Sequence, residues 1–156
     1  MDPIRFASVS PTDSGAAYCL EHYFTELAER FDTGFDPALS EAPTLDEFAP
    51  PGGAFLLAYL GNEPVGCGGF KRLSTDTAYL KRMWVDRDCR GHGLGLKLLD
   101  ALERQAANLG YRKICLETHR SLAEAQNLYR RCGYIEVAPF NDEHYADHWF
   151  EKALSR

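Results

Sequence analysis

Apolar and polar positions along the chain repeat with two different periods. Ile4 to Ser8 reads as a short strand. Pro11-Thr12-Asp13 then supplies N-cap chemistry for a helix with Ala17, Leu20, Phe24, Leu27, Ala28 and Phe31 on one face, closed by Gly34. Residues 35 to 53 are rich in Pro, Asp and Glu and read as a functional loop, with a short helical piece around Thr44 to Phe48 before the breaker Pro50-Pro51-Gly52-Gly53. Ala54 to Leu60 and Val65 to Leu73 flank the turn Gly61-Asn62-Glu63-Pro64, which makes an antiparallel hairpin. Ala78 to Val85 is a third strand-like run. Beyond it a long amphipathic helix buries Leu94, Leu98, Leu102, Ala106 and Leu109 and ends at Gly110. Lys113 to Thr118 is again a strand. Ser121-Leu122-Ala123-Glu124 has the form of a capping box for a helix that starts at Leu122 and stops at Gly133, before strands at Tyr134 to Pro139 and His148 to Ala153. The predicted order is βα, three strands, α, β, α, β, β: an α/β (α+β) chain.

At 156 residues the chain is long enough for one core, so residues 1–156 are expected to form a single domain. The 45% hydrophobic and 26% charged content exclude a disordered, collagen-like or coiled-coil chain, and no internal repeat suggests a solenoid. Seventeen Lys+Arg against 23 Asp+Glu give a net charge of −6, which argues against nucleic acid or an anionic membrane as partners. No apolar run approaches the roughly 18 residues of a membrane span, and Met1-Asp2-Pro3-Ile4-Arg5 lacks a secretory apolar region, so a cytoplasmic location is expected. The five cysteines are odd in number, form no C-x-x-C pair and are expected to be reduced.

The chemistry concentrates in Arg90-Gly91-His92-Gly93-Leu94-Gly95-Leu96, which follows a strand and opens a helix. There the backbone N–H groups lack helical partners, glycine removes the Cβ obstruction, and Arg90 adds charge at one side, a setting suited to a pyrophosphate. The dinucleotide pattern G-x-G-x-x-G fails at Leu96, and no Gly-Lys-Ser/Thr follows. With Met83-Trp84-Val85 ahead of it, the run Arg-x-x-Gly-x-Gly at Arg90, Gly93 and Gly95 resembles the acyl-CoA loop of the GNAT acetyltransferases. Downstream, Ala125-Gln126-Asn127-Leu128-Tyr129-Arg130-Arg131-Cys132-Gly133-Tyr134 is similar to a second segment of that family. The resemblance is clear from about residue 54 onward; residues 1 to 53 share only the strand-helix order.

The resemblance implies a GNAT-like fold, a central mixed, mostly antiparallel sheet flanked by helices, with acetyl-CoA in the gap where strand 78–85 splays from strand 113–118. Met83, Trp84 and Val85 would border the thioester, with Met83 and Val85 backbone groups on the pantetheine and acetyl carbonyl. Amides of Gly91, His92, Gly93, Leu94, Gly95 and Leu96 would surround the pyrophosphate. A neutral amine would attack the thioester directly, and Tyr129 matches the tyrosine that protonates the departing sulfur. The acceptor would be a small-molecule or peptide amine, no metal is implied, and a homodimer is the assembly the family suggests.

Two positions depart from the family pattern. Tyr79 stands where many relatives carry a glutamate base, and Leu122 where a polar residue often contacts the donor. Glu117, on the next strand, takes the amine proton through water or is an ordinary structural carboxylate; both readings stay open. No donor role is assigned to His119. His144 and His148 lie four apart but lack a zinc-site pattern, and Cys115 and Cys132 lie in apolar periodic positions, which suit small buried hydrophobes better than nucleophiles. A rival from another class is a non-catalytic acyl-CoA sensor or a GNAT-like interaction module. Glu21, Glu26, Glu29, Asp32, Asp36, Glu41, Asp46 and Glu47 face only one basic residue, Arg30, in segment 21–47. That acidity suits either a cationic acceptor or a solvated helix face.

Overall fold

The computed structural model describes residues 3–39 and 45–155. Along the chain run β1 (Ile4–Ser8), α1 (Ser14–Arg30), β2 (Ala54–Leu60), β3 (Glu63–Ser74), β4 (Thr77–Val85), α2 (Leu94–Asn108), β5 (Lys113–Thr118), α3 (Ala123–Arg131), β6 (Ile135–Val137) and β7 (His148–Ala153). Seven strands form one sheet in the order β1-β2-β3-β4-β5-β7-β6, antiparallel throughout except for the parallel β4–β5 pair. The mixed α/β class, the element order along the chain and the mostly antiparallel sheet agree with the sequence reading. Of the proposed helical piece at 44–48, Leu45–Phe48 forms one 3₁₀ turn, while Thr44 and Glu41 lie outside the described residues.

The two sheet faces are covered by different helices because strand side chains alternate. Leu56 and Phe70 lie under Leu98, Leu99, Leu102 and Ala106 of α2, in a cluster that continues to Ile114, Leu116 and Phe150. Phe55, Leu57 and Cys67 meet Ala16, Cys19 and Leu20 of α1. Gly68 is required for the α2 contact: a Cβ there would lie 2.7 Å from Leu102 Cδ1.

Three local expectations shift. Ala16 and Cys19, and not Ala17 and Ala28, lie on the buried face of α1. Docking on the sheet selects a face about one residue from the one that hydrophobicity alone selects. Leu109 is exposed and Leu99 takes its place in the core. The capping box does not form: Leu122 is the N-cap of α3 without a side-chain hydrogen bond, and Glu124 instead accepts from Arg30 Nη2 at 2.7 Å. A charge-assisted contact to α1 outcompetes the local cap.

Candidate active site

The sheet opens where β4 and β5 part. Only Thr77↔Lys113, Ala78↔Ile114 and Tyr79↔Cys115 are paired, although β4 continues to Val85 and β5 to Thr118. Beyond Tyr79 the facing edges carry backbone groups without ladder partners. On its other edge β4 pairs Trp84 with Cys67 and Lys81 with Gly69, so Arg82 and Met83 together oppose Gly68. This is a β-bulge, and it accounts for the positive φ of 60° at Arg82, rare for a residue with a Cβ.

A groove of about 490 Å³ runs from this opening to the head of α2. Gly93, with φ 78°, caps α2 without a side-chain bond, and Lys97 N–H donates to Gly93 O at 3.1 Å. The amides of Leu94, Gly95 and Leu96 therefore have no partner within the helix. Gly91, with φ 85°, completes a turn that a Cβ would strain. At Gly95 the constraint is space: a Cβ would sit 3.3 Å from Leu128 Cδ2 of α3.

Met83, Trp84 and Val85 border this groove, as do Arg90, Gly91 and Gly93 to Leu96. His92 is exposed and does not. Trp84 belongs chiefly to the α1 side, its ring stacked 5.4 Å from His22. Arg90 is already engaged: its Nε donates to Val85 O at 2.9 Å and its Nη2 meets Glu26 Oε1 at 2.6 Å. Arg30 ties α1 to α3 in the same way, through Ser121 O at 2.9 Å and Glu124. Four of the eight acidic residues in segment 21–47 are thus answered from distant sequence. Glu26 pairs with Arg30 and Arg90, Glu29 with Arg87, Asp32 with Arg120 and Glu47 with Lys71.

A second cavity, of about 150 Å³, adjoins the groove, and Tyr23, Leu27, Met83, Leu122, Ala125 and Tyr129 border both. Tyr129 is buried, with Tyr134 and Phe150 at ring distances of 5.6 and 6.1 Å. Burial, and secondarily the charge of Glu117, holds its phenol above the ordinary tyrosine value, so it stays protonated. Glu117 projects from β5 into the smaller cavity. Tyr79 O–H donates to Glu117 Oε1, and Asn141 Nδ2 donates to the Tyr79 oxygen at 2.8 Å and to Glu117 at 3.4 Å. Trp149 Nε1 in turn donates to Asn141 Oδ1 at 2.9 Å. Lys81 Nζ lies 3.8 Å from Glu117 and 3.9 Å from Glu143. Burial nevertheless dominates, raising the Glu117 carboxyl above its ordinary value and making it a better proton acceptor once ionised. Tyr79, at the departure from the family pattern, therefore positions this carboxylate.

Among the other sequence candidates, His119 stacks on Phe31 with ring centres 3.8 Å apart and accepts from Ser121 N at Nδ1, while burial lowers its pKa. His148 pairs with Glu136 at 2.8 Å. Burial pushes the Cys115 thiol up to about 12 and raises that of Cys132, the opposite of nucleophile activation. Sequence reasoning missed Tyr23, Lys81 and Arg82, all of which line the smaller cavity. The signal for Arg82 was faint: with Lys81 it sets two adjacent charges between apolar residues of one strand.

A sheet opened between two parallel strands, with a glycine-turned helix head at one end of the groove and a buried cluster of titratable side chains at the other, goes together here with a match to a class of acyltransferases. The profile described as Acetyltransferase (GNAT) family matches residues 18–134, and the chain belongs to that family of N-acetyltransferases. An IAA acetyltransferase of Azospirillum brasilense is 29% identical over 142 residues, covering 90% of each chain. The structure of a putative acyl-CoA N-acyltransferase from Klebsiella pneumoniae is 28% identical with TM-score 0.76, covering 97% of this chain and 98% of the other. A putative streptothricin acetyltransferase from Bacillus anthracis, solved in complex with acetyl coenzyme A, shares the fold at 20% identity and TM-score 0.62 over 73% of this chain and 69% of that one.

Proposed function

We propose that this protein transfers the acetyl group of acetyl-CoA directly to a primary amine. The observation that carries the reading is the position of Tyr129 on the border between the groove and the cavity that holds Glu117. The unpartnered amides at Leu94 to Leu96, with the turn Gly91–Gly93, receive the pyrophosphate. Backbone groups of Met83 and Val85 direct the pantetheine and thioester to the opening between β4 and β5. Glu117, held by Tyr79 and Asn141, accepts the proton of the incoming amine through water. The N–C bond forms, the C–S bond breaks, and the Tyr129 hydroxyl delivers its proton to the departing sulfur. The proton on Glu117 and the vacancy on Tyr129 then equalise through water. The products are an N-acetylated amine and CoA thiol.

The test is release of CoA thiol from acetyl-CoA across a panel of primary amines, alongside titration of acetyl-CoA into the protein. Turnover with at least one amine is the expected result. Tight acetyl-CoA binding without turnover of any amine would instead make the chain an acyl-CoA sensor.

A further inference from the structure

The smaller cavity is bordered by a cation without a counter-ion among the described residues. Arg82 borders it from the β-bulge of β4. Its guanidinium rests against the rings of Phe24 and Phe48, 5.2 and 5.5 Å from their centroids. Among the described residues no carboxylate pairs with it, and burial keeps the nearby Tyr23 phenol and Cys67 thiol protonated, so neither supplies an anion. Burial accordingly lowers its pKa, as expected of a partly dehydrated charge lacking an anion. Lys81, one residue earlier, is in the contrasting situation between Glu117 and Glu143.

The charges around the cavity are therefore sorted. Glu117 and Glu143 border the cavity with Lys81 between them, a carboxylate-bearing end suited to an arriving ammonium group. Arg82 leaves one positive charge that none of the described residues answers. Four successive residues of β4, Leu80 to Met83, border this single cavity. The bulge and the open edge permit what regular alternation would not. Phe24, Phe31, Phe35 and Tyr145 complete the wall with apolar surface, Phe35 lying 4.8 Å from Tyr145 and 5.8 Å from Phe24 between ring centres. A cavity of 150 Å³ takes a body about the size of benzene.

We infer that the acceptor is a small apolar amino acid, whose carboxylate is bound by the Arg82 guanidinium and whose body packs among Phe24, Phe31, Phe35 and Tyr145. A guanidinium presents parallel N–H donors that match a carboxylate. One unanswered positive charge balances one carboxylate, whereas a phosphate monoester would bring a second negative charge into a site that already contains two glutamates. The inference rests on the acetyltransferase reading for the identity of the pocket as the acceptor site, yet its ligand can be tested without turnover.

Two arms test it with the full chain. In the first, CoA release is measured with L-leucine, L-phenylalanine and 4-aminobutyrate, each beside its carboxamide. The expected kcat/KM is about 10- to 100-fold higher for at least one acid than for its amide, the range of a charge-assisted hydrogen bond. Arg82→Gln should collapse that ratio to about threefold or less, and Arg82→Lys, which keeps charge but not the fork, should lie between. In the second arm, binding of the same compounds is measured calorimetrically with CoA present, and acetyl-CoA titration of the Arg82 variants verifies their fold. Arg82-dependent binding of an acid without turnover supports the inference and removes the transferase reading. Turnover of amides as fast as acids, a ratio that survives in Arg82→Gln, or no binding and no turnover of any acid overturns the inference, the first two leaving the transferase reading intact.

Discussion

Replacing Tyr129 with phenylalanine separates catalysis from packing with little ambiguity. Among the described residues the hydroxyl makes no hydrogen bond, so its removal orphans no partner, and the ring contacts to Tyr134 and Phe150 persist. Stability should change by less than about 0.5 kcal/mol, the scale of substitutions that neither open a cavity nor break a bond. Catalysis should respond quite differently. General acids contribute typically 10²- to 10⁴-fold. Burial holds this phenol above the ordinary tyrosine value of 10, while a free thiol ionises near 8.5, so the proton remains nearer oxygen until the C–S bond is largely broken. That places the expected loss toward the lower end, about 10²-fold or ~2.7 kcal/mol of transition-state stabilisation. Acetyl-CoA affinity should barely move. Single-turnover acetylation, with enzyme in excess and a good acceptor, is the proper assay because slow product release would mask the chemical step in steady state. An unchanged single-turnover rate in a folded Tyr129→Phe protein would falsify the acid role, whatever the steady-state numbers.

Three further outcomes follow from the same geometry. Glu117→Gln should cut kcat by about 10²- to 10⁴-fold and erase an acid limb from the kcat/KM profile. Because burial raises this carboxyl, the folded state keeps its proton to higher pH than the unfolded chain; wild type therefore loses stability as pH rises from the ordinary carboxylate range through the folded value. Melting temperatures of the Gln variant relative to wild type should climb over that window, and a flat difference would contradict the burial argument. Gly93→Glu should weaken acetyl-CoA binding more than tenfold by titration, beyond Gly93→Ala, which carries only the roughly 1–2 kcal/mol strain of a Cβ at φ 78°. Equal affinities in the two variants would remove the pyrophosphate from this turn. Mixing with acetyl-CoA alone should give no acetyl-enzyme by mass spectrometry, since both candidate thiols are held protonated; a competent adduct on Cys115 or Cys132 would point to a relay mechanism.

Much of the fold is legible in the sequence, and the boundary of legibility is physical. β1 at Ile4–Ser8 and the β2–β3 hairpin follow from local alternation and turn chemistry, which sequence carries directly. The glycine turn was visible because backbone demands there, a positive φ at Gly91 and Gly93 and close approach at Gly95, admit almost nothing but glycine. The capping box at Ser121 failed because Glu124 found Arg30, 94 residues away, and no local pattern encodes that competition. The same blindness left the acidity of segment 21–47 open between a cationic acceptor and a solvated face, although Arg87, Arg90 and Arg120 pair with Glu29, Glu26 and Asp32. Glu117 is a candidate only through the family resemblance, as the carboxylate on the strand beside the implied gap. Its support by Tyr79, Asn141 and Trp149 depends on three segments converging, which only tertiary structure reveals.

The three residue pairs between β4 and β5 carry a mechanical meaning as well. A sheet ordinarily resists shear through every rung of its ladders, yet this one is joined across its middle by a short seam at one end. Four strands lie on one side of the seam and three on the other, and past Tyr79 nothing in the backbone fixes the distance between them. An amide-bearing ligand laid into that notch would serve as a missing strand, stitching the halves together with rungs the chain itself does not provide. Such a notch also hides raw strand edges inside the fold, flanked by α1 and α3, where another protein's strand cannot reach to zip onto them. The molecule thereby keeps a sticky surface available to a thin ligand while denying it to its own kind.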